Sequence, residues 1–161
     1  LKVLKKVNVK IKVMKEIVKK LFNDLELKNY QEFLLYVARA SKQGNELEIS
    51  SRINLGKHMD CVYFILENFY LKKIGKVGGG SRCMRKRLLD YRSTDATGLK
   101  INESIKNNNR IDIIALSFPS QISEVCGIEV ASNLKGAGLE KKLIPKAKKL
   151  GYGLEWNRNN G

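Results

Sequence analysis

The sequence predicts an α+β domain with a small three-stranded antiparallel sheet flanked by helices, preceded by a basic helical extension. Two apolar runs on either side of Asn68 are typical of a β-hairpin. A third run, residues 111–117, has the β-branched composition of another strand. Residues 82–92 and 139–150 instead repeat their apolar positions at helical spacing, so helices are expected on both sides of that third strand.

The N-terminal segment is predicted to form an accessory helical layer. Residues 5–13 alternate Val or Ile with Lys or Asn, which is the period of a half-buried strand. Residues 14–25 then repeat apolar side chains at helical spacing. The same spacing returns in residues 30–37, after Asn29 as a plausible N-cap. We therefore expect a short strand followed by two helices.

A polar segment at residues 41–45, which contains Gly44, is the best internal boundary. It divides the chain into an extension, residues 1–45, and a domain, residues 46–161. Within that domain, residues 46–53 are predicted to form a short strand that leads into the hairpin.

The remaining elements follow from local spacing and composition. Residues 82–92 and 99–106 predict two helices, and residues 111–117 predict the third strand of the sheet. Residues 139–150 predict a last helix, which Pro145 is expected to kink or split.

The charge of the chain indicates an anionic partner. It has 31 Lys and Arg against 16 Asp and Glu, a net charge of +15, which favours nucleic acid or an anionic membrane surface. One stretch is especially basic, with Asp90 as its only acid: Lys72, Lys73, Lys76, Arg82, Arg85, Lys86, Arg87 and Arg92. A second basic cluster, residues 141–149, follows Glu140. The charge alone does not distinguish these two kinds of partner.

Cysteine usage and hydropathy indicate an intracellular, cytoplasmic setting. Cys61, Cys83 and Cys126 are odd in number and lack CxxC spacing, so neither a disulfide framework nor a zinc knuckle is expected. Lysines interrupt every apolar run near the N-terminus, so no signal peptide, membrane span or membrane partner is predicted.

Several polar side chains are predicted to meet at the hairpin. If the hairpin folds about Asn68, Tyr63 and Lys73 lie opposite each other on one face of the sheet. Arg87 and Tyr91 are four residues apart and share a helix face. A phenol, an ammonium and a guanidinium in one place suggest phosphodiester chemistry, which needs an activated water and neutralised phosphate charge.

These residues resemble the motifs of the GIY-YIG nuclease superfamily. The sequence CVY at residues 61–63 resembles the first motif of the family, and KIG at residues 73–75 resembles the second. Arg87, followed one turn later by Tyr91, resembles the helical Arg and its aromatic or His partner. No Gly-Ile precedes Tyr63, which departs from the family pattern. Lys73 in place of the Tyr of the second motif, with Tyr91 in place of the helical His, resembles the restriction-enzyme branch.

The resemblance extends over residues 60–157. Glu140 resembles the metal-binding Glu of the family, and Asn157 in EWN resembles the Asn that often closes the family core. Asn157 is also interpreted as a residue that only ties down the C-terminal segment. The sequences LE and WN near the end resemble a phage endonuclease of the same superfamily, so the restriction and phage branches both stay open.

The resemblance implies a divalent-metal-dependent endonuclease that hydrolyses phosphodiester bonds of double-stranded DNA, with Mg²⁺ or Mn²⁺ at Glu140. The expected catalytic residues are Tyr63, Lys73, Arg87, Tyr91 and Glu140, and the expected DNA contacts are Lys72, Lys76, Arg82, Arg85, Lys86 and Asn157. Because each site would cut one strand, cutting a duplex calls for a homodimer or higher homo-oligomer.

The roles follow from the chemistry of each group. Tyr63 would take a proton from the attacking water, which requires its pKa of about 10 to be lowered by positive charge on Lys73 or Arg87. The planar fork of Arg87 suits two phosphate oxygens, and Tyr91 would orient the phosphate or the water.

Two other functions are compatible with the same residues. One is a basic nucleic-acid-binding module in which these side chains only contact phosphates. The other is a nuclease of the PD-(D/E)xK type that uses Asp112, Glu140 and Lys142. That pattern normally places ExK on a strand, whereas the sequence around Glu140 predicts a helix.

Overall fold

A computed structural model describes residues 2–78, 82–92, 95–119, 122, 124–130 and 133–157, with side chains described from residue 12 onward. The helices are α1 (Lys2–Asp24), α2 (Met84–Asp90), α3 (Ala96–Lys106) and α4 (Lys135–Lys149). The strands are β1 (Leu34–Ala40), β2 (Glu48–Ile49), β3 (Cys61–Glu67), β4 (Tyr70–Val77), β5 (Ile111–Ser117), β6 (Glu124–Val125) and β7 (Ile128–Glu129). No helix in these described ranges is long and apolar enough to cross a bilayer.

The main sheet has five antiparallel strands in the order β2-β1-β5-β3-β4, so the prediction of three strands is wrong. The predicted α+β class and the helices on both faces are confirmed. The additional strands are β1 and β2, which continue the sheet beyond β5; β2 falls within residues 46–53, predicted as a short strand but not as part of this sheet. The pairing of β1 with β5 is non-local, since Leu34 of β1 faces Leu116 of β5, and local spacing carries no signal for such a contact.

Two N-terminal segments differ from the prediction. Residues 30–37, predicted as a helix, form one 3₁₀ turn at Gln31–Phe33 and then enter β1, because β5 offers backbone partners to β1 on both sides of a bulge at Val37. Residues 5–13, predicted as a strand, belong to α1. Lysine is a good helix former, and a helix already formed at residues 14–24 gains one backbone hydrogen bond for each residue it adds.

The sheet lies between two hydrophobic cores. On one face, α1 and α4 pack over Val62 and Phe64 of β3, and Phe22 and Leu143 are fully buried there. On the other face, α2 and α3 pack over alternate residues of the same strand, including Tyr63. Both α1 and β1 thus share the cores of residues 46–157, and the autonomy of a 46–161 domain stays a prediction.

The predicted hairpin about Asn68 is confirmed, with a corrected register. Asn68 and Phe69 form its two-residue turn, both at positive φ (48° and 68°), as a type I′ turn requires. The two-residue turn and a bulge between Leu71 and Lys73 each shift the pairing by one residue relative to a fold about Asn68 alone, so Tyr63 faces Gly75 and Lys73 faces Ile65. Tyr63 and Lys73 are therefore not directly opposite, but they do lie on the same face of the sheet.

Candidate active site

A cleft of about 380 Å³ lies beside β4, the edge strand of the sheet. Strands β3 and β4, helices α2, α3 and α4, and the C-terminal segment meet there. Its lining comprises Tyr63, Lys73, Ile74, Gly75, Lys76, Arg87, Tyr91, Asp95, Thr97, Glu140, Ile144 and Asn157. The structure thus brings together all five predicted catalytic residues, together with two of the predicted DNA contacts.

Two buried phenols form the floor of this cleft. The hydroxyls of Tyr63 and Tyr91 are joined by a short hydrogen bond, and the side chains are 2% and 1% exposed. Burial raises the pKa of both, but the bond to Tyr91 and the charge of Arg87 oppose that rise for Tyr63. For Tyr91, the bond to Tyr63 raises the pKa further. Tyr63 is therefore the phenol that loses its proton first.

The expected lowering of the Tyr63 pKa is not seen. Burial outweighs the nearby positive charge, so the net direction is upward and the phenol is neutral at neutral pH. The sequence alone does not reveal that a residue of β3 lies beneath α2 with almost no solvent contact. Arg87 acts on this pKa as expected, whereas the ammonium of Lys73 is hydrogen-bonded to Thr97.

Gly75 makes room for the Tyr63 ring. The two residues face each other across the hairpin, and a Cβ on Gly75 would overlap the Cζ and hydroxyl of Tyr63. The ring therefore lies across the backbone of β4 instead of beside a side chain. The glycine of the KIG run thus sets the position of the phenol.

Replacing Gly75 with alanine should destabilise the fold. The added methyl group forces the buried ring out of its place, and overpacking of this kind costs about 1–3 kcal/mol. We expect that loss in the free energy of unfolding measured by denaturant titration. Gly56→Ala is the matched control, because its Cβ meets only the Asn54 Oδ1, at 3.3 Å. Equal stabilities for the two variants would contradict the packing described here.

Lys73 is held by a residue that the sequence did not single out. Its Nζ donates to the Thr97 Oγ1 at 2.6 Å, and Thr97 is buried in the first turn of α3. Asp95 caps that turn by accepting from the Thr97 amide at 2.9 Å. An Asp two residues before a Thr-Gly pair is a recognisable N-cap signal that would have placed the helix start at residue 96 instead of 99.

Arg87 of α2 has a donor without a partner. Its Nε is buried, and within the described residues it makes no hydrogen bond. A buried N–H of a permanently charged group is costly when unpaired, so such a donor in a cleft indicates an anionic ligand. The guanidinium lies on the cleft side of α2, as the sequence predicted.

Glu140 is positioned by a carboxylate 80 residues earlier in the chain. Asp60, just before β3, accepts from the backbone amides of Lys135 and Gly136 at 2.8 and 2.7 Å. A Cβ on Gly136 would overlap the backbone of Cys61, so the first turn of α4 packs directly on β3. Asp60 therefore acts as a distant cap of α4, and no local sequence pattern reveals a cap so far from its helix.

Burial and nearby positive charge have opposite effects on the pKa of the Glu140 carboxyl. Burial raises its pKa, while Lys76, Lys73 and Arg87 lower it by a smaller amount. Among the residues that the structure describes, no group of three His, Cys, Asp or Glu could hold a metal ion. A single carboxylate still fits Mg²⁺, which takes one or two carboxylates and fills its other positions with water and phosphate oxygens.

Asn157 closes the open edge of β4. Its Oδ1 accepts from the Ile74 amide at 3.1 Å, and its Nδ2 donates to the Ile74 carbonyl at 2.9 Å. The amide of Trp156 also donates to the Lys72 carbonyl at 3.0 Å. The C-terminal segment thus pairs with the sheet edge, in the tying role that the sequence had left open.

The other predicted DNA contacts lie outside the cleft. The Lys72 ammonium lies 3.9 Å from Glu67 and 3.8 Å from Glu155. Arg82 pairs with Asp90 at 2.7 Å. Arg85 and Lys86 are exposed on α2. These four side chains do not line the cleft, and their role as DNA contacts remains a prediction.

The residues of the alternative PD-(D/E)xK site are not brought together. Asp112 of β5 is buried and is bound by both Nε and Nη2 of Arg110, at 2.7 and 3.1 Å. Glu140 and Lys142 lie on a helix, and the Lys142 ammonium donates to the Glu129 carbonyl. Asp112 does not line the cleft that contains Glu140.

Comparison with known proteins gives a likeness of fold. No protein-family model matches the sequence, and no curated protein matches it. A solved structure of a bacteriophage T4 EndoII mutant is similar to 86% of this chain and 97% of that chain, with a TM-score of 0.50 and 16% identity. The restriction endonuclease HPY188I in complex with product DNA matches 80% of this chain and 85% of its own, with a TM-score of 0.41 and 15% identity.

At such low identity, the likeness to EndoII shows a shared fold and nothing finer. It spans nearly the whole EndoII chain, so the fold is shared as a unit and not through an isolated motif.

Proposed function

We propose that this protein is a divalent-metal-dependent DNA endonuclease of the GIY-YIG type. One observation carries the proposal: five chemically suited side chains from four separate elements line a single cleft. Around the Glu140 carboxyl stand two coupled phenols, a guanidinium with an unpaired buried Nε, and two lysines, while the second carboxylate of the cleft, Asp95, caps α3. The fold shared with EndoII, and the net charge of +15, support the same function.

Glu140 is the residue that would hold the metal ion, proposed as Mg²⁺ or Mn²⁺. When bound, the ion would neutralise charge on the phosphate and assist the leaving oxygen. The three cations that act on the Glu140 pKa place positive charge near that carboxyl. A phosphate is the ligand that suits a cleft in which cations outnumber carboxylates in this way.

Different residues would bind the phosphate and accept the proton of the attacking water. Arg87 offers its free Nε to one phosphate oxygen, and its planar fork can bind a second. Tyr63 acts as its phenolate, which the hydrogen bond from Tyr91 stabilises; the phenolate oxygen takes a proton from the attacking water and becomes a neutral phenol, while the hydroxide attacks phosphorus. Thr97 holds the Lys73 ammonium at the cleft, close to the developing negative charge.

The substrate is proposed to be double-stranded DNA, cut once per site. One chain carries one such cleft among its described residues, so cutting both strands would need two copies in a homodimer or higher homo-oligomer. The exposed basic side chains of α2 would bind phosphates further along the duplex. The restriction and phage types both remain compatible with this arrangement.

Removing the Tyr63 hydroxyl should change both the rate and its pH dependence. Because burial raises the Tyr63 pKa, the reactive phenolate is scarce at pH 7 and its fraction grows about tenfold per pH unit. The single-turnover rate constant of the wild type should therefore still be rising at about pH 10, the ordinary pKa of a tyrosine. We expect Tyr63→Phe to be slow and to lack this rise.

Tyr70→Phe is the control for this experiment, because Tyr70 is 43% exposed and lies outside the cleft. It should reproduce the wild-type pH profile. A Tyr63→Phe protein that cleaves at the wild-type rate across the pH range would remove Tyr63 from the proton transfer.

A non-catalytic nucleic-acid-binding module is the second candidate, favoured by the density of lysine and arginine around the cleft. Such a module would bind DNA with strong salt dependence and would not cut it with any metal ion. The unpaired Arg87 Nε and the raised Glu140 pKa favour the enzyme, since simple phosphate binding needs no half-buried carboxylate.

A further inference from the structure

A second depression runs along α4 and joins the candidate active site. It has a volume of about 520 Å³ and shares Lys76, Glu140 and Ile144 with the first cleft. We call it the α4 groove, and its other lining residues are Ala137, Gly138, Lys141 and Pro145. The two depressions thus form one continuous path across the protein surface.

The groove is built on one outward face of α4. Ala137, Lys141, Ile144 and Pro145 stand at positions i, i+4, i+7 and i+8, which share a helix face. The opposite face of the helix is buried and consists of Gly136, Leu139, Leu143 and Ala147. The outward face of α4 therefore presents both apolar and charged side chains, and it lies directly beside Glu140.

The lining of the α4 groove offers a ligand three kinds of contact: apolar surface, ammonium groups and a backbone carbonyl. Ala137, Ile144 and Pro145 supply apolar surface, and Lys76 and Lys141 supply exposed ammonium groups at the rim. Pro145 has no amide hydrogen, so the Lys141 carbonyl four residues earlier lacks its usual helical donor and can accept from a ligand. Apolar surface, a cation and an acceptor together match a nucleotide, with its base, phosphate and base amino groups.

We propose that the α4 groove binds the nucleotide next to the phosphodiester that is cut. Its sugar and base lie against Ile144 and Pro145, and its phosphate lies at Lys141. This inference rests on the proposed function, because the groove is identified by its continuity with the cleft that holds the reacting phosphate. Lys141 is thereby a DNA contact, outside the basic stretch around α2.

The space available to the DNA strand on either side of the cleft supports its placement in the α4 groove. A polynucleotide must continue past the cleft on both sides of the reacting phosphate. Along the edge of β4, the route is occupied by Trp156 and Asn157, which pair with the backbone of Lys72 and Ile74. The α4 groove begins at Glu140 and carries the exposed lysines Lys76 and Lys141, so among the described residues it offers the strand a positively charged path.

The test compares two neighbouring lysines, Lys141→Gln and Lys142→Gln. Lys142 carries the same charge, but its ammonium donates to the Glu129 carbonyl and it does not line the groove. Binding of a duplex oligonucleotide is measured by fluorescence anisotropy in EDTA across a series of salt concentrations. For Lys141→Gln, the slope of log K against log salt should be shallower by about 0.9, as expected for one lost phosphate contact.

Lys142→Gln should keep the wild-type slope. A groove-filling Ala137→Phe variant, which alters no charge, should weaken binding about tenfold while keeping the wild-type slope, because it blocks the apolar floor. Its melting temperature is measured in parallel. Equal slopes for the two glutamine variants would overturn the inference.

Different results would overturn the inference about the α4 groove and the proposed function. Wild-type cleavage together with equal slopes for both lysine variants removes the α4 groove and leaves the proposed function in place. A wild-type protein that neither cuts nor binds the duplex overturns both.

Discussion

Glu140→Gln should abolish metal-dependent DNA cleavage while leaving the fold intact. The substitution keeps the size of the side chain and removes the negative charge that would hold the metal ion. Loss of metal assistance costs several kcal/mol in the transition state, which corresponds to a decrease in the cleavage rate of about 10³-fold or more. Single-turnover cleavage of a labelled duplex, at increasing Mg²⁺ concentrations, measures this loss.

The stability of the same variant separates a catalytic role from a structural one. Burial raises the Glu140 pKa, so the folded protein disfavours the charged carboxylate. A neutral amide removes that cost, and the free energy of unfolding should be unchanged or higher than in the wild type. Glu103→Gln, an exposed glutamate on α3, is the control and should retain full activity. A Glu140→Gln protein as active as this control would exclude Glu140 from the site.

Arg87→Lys should produce the second large loss, although it conserves the charge. Lysine has no planar fork and no Nε, so it cannot place two parallel donors on a phosphate. Removing one positioned donor to developing charge typically lowers kcat about 10²–10³-fold. We expect this decrease in kcat under saturating DNA, with a smaller change in binding because the positive charge remains.

Arg85→Lys provides the matched comparison on the same helix. Arg85 is exposed and lies outside the cleft, so its replacement should leave kcat unchanged. If Arg87→Lys and Arg85→Lys cleave equally fast, the buried Nε of Arg87 has no part in binding the reacting phosphate.

Much of the site could be predicted because its residues stand in strongly periodic elements. Alternation along β3 and β4 placed Tyr63 and Lys73 on one face, and helical spacing in α2 placed Arg87 and Tyr91 on another. The structure brings both pairs to one cleft. The pattern did not predict the two-residue turn at Asn68–Phe69 or the bulge of β4, which together place Gly75 instead of Lys73 opposite Tyr63.

The remaining features depend on contacts between residues far apart in sequence. Strand β1 exists because β5 supplies its hydrogen-bonding partners, and Asp60 caps α4 from 75 residues away. Burial of Tyr63 beneath α2 reverses the expected direction of its pKa shift. In each of these cases tertiary context outweighed local preference, and a single sequence contains no record of it.

The most direct test of the central proposal is a time course of supercoiled plasmid with the purified protein, in Mg²⁺ and in EDTA. Nicked or linear DNA that appears only with the metal ion is the predicted result. Salt-sensitive DNA binding with no cleavage in either Mg²⁺ or Mn²⁺ would contradict it, and would make this protein a nucleic-acid-binding module.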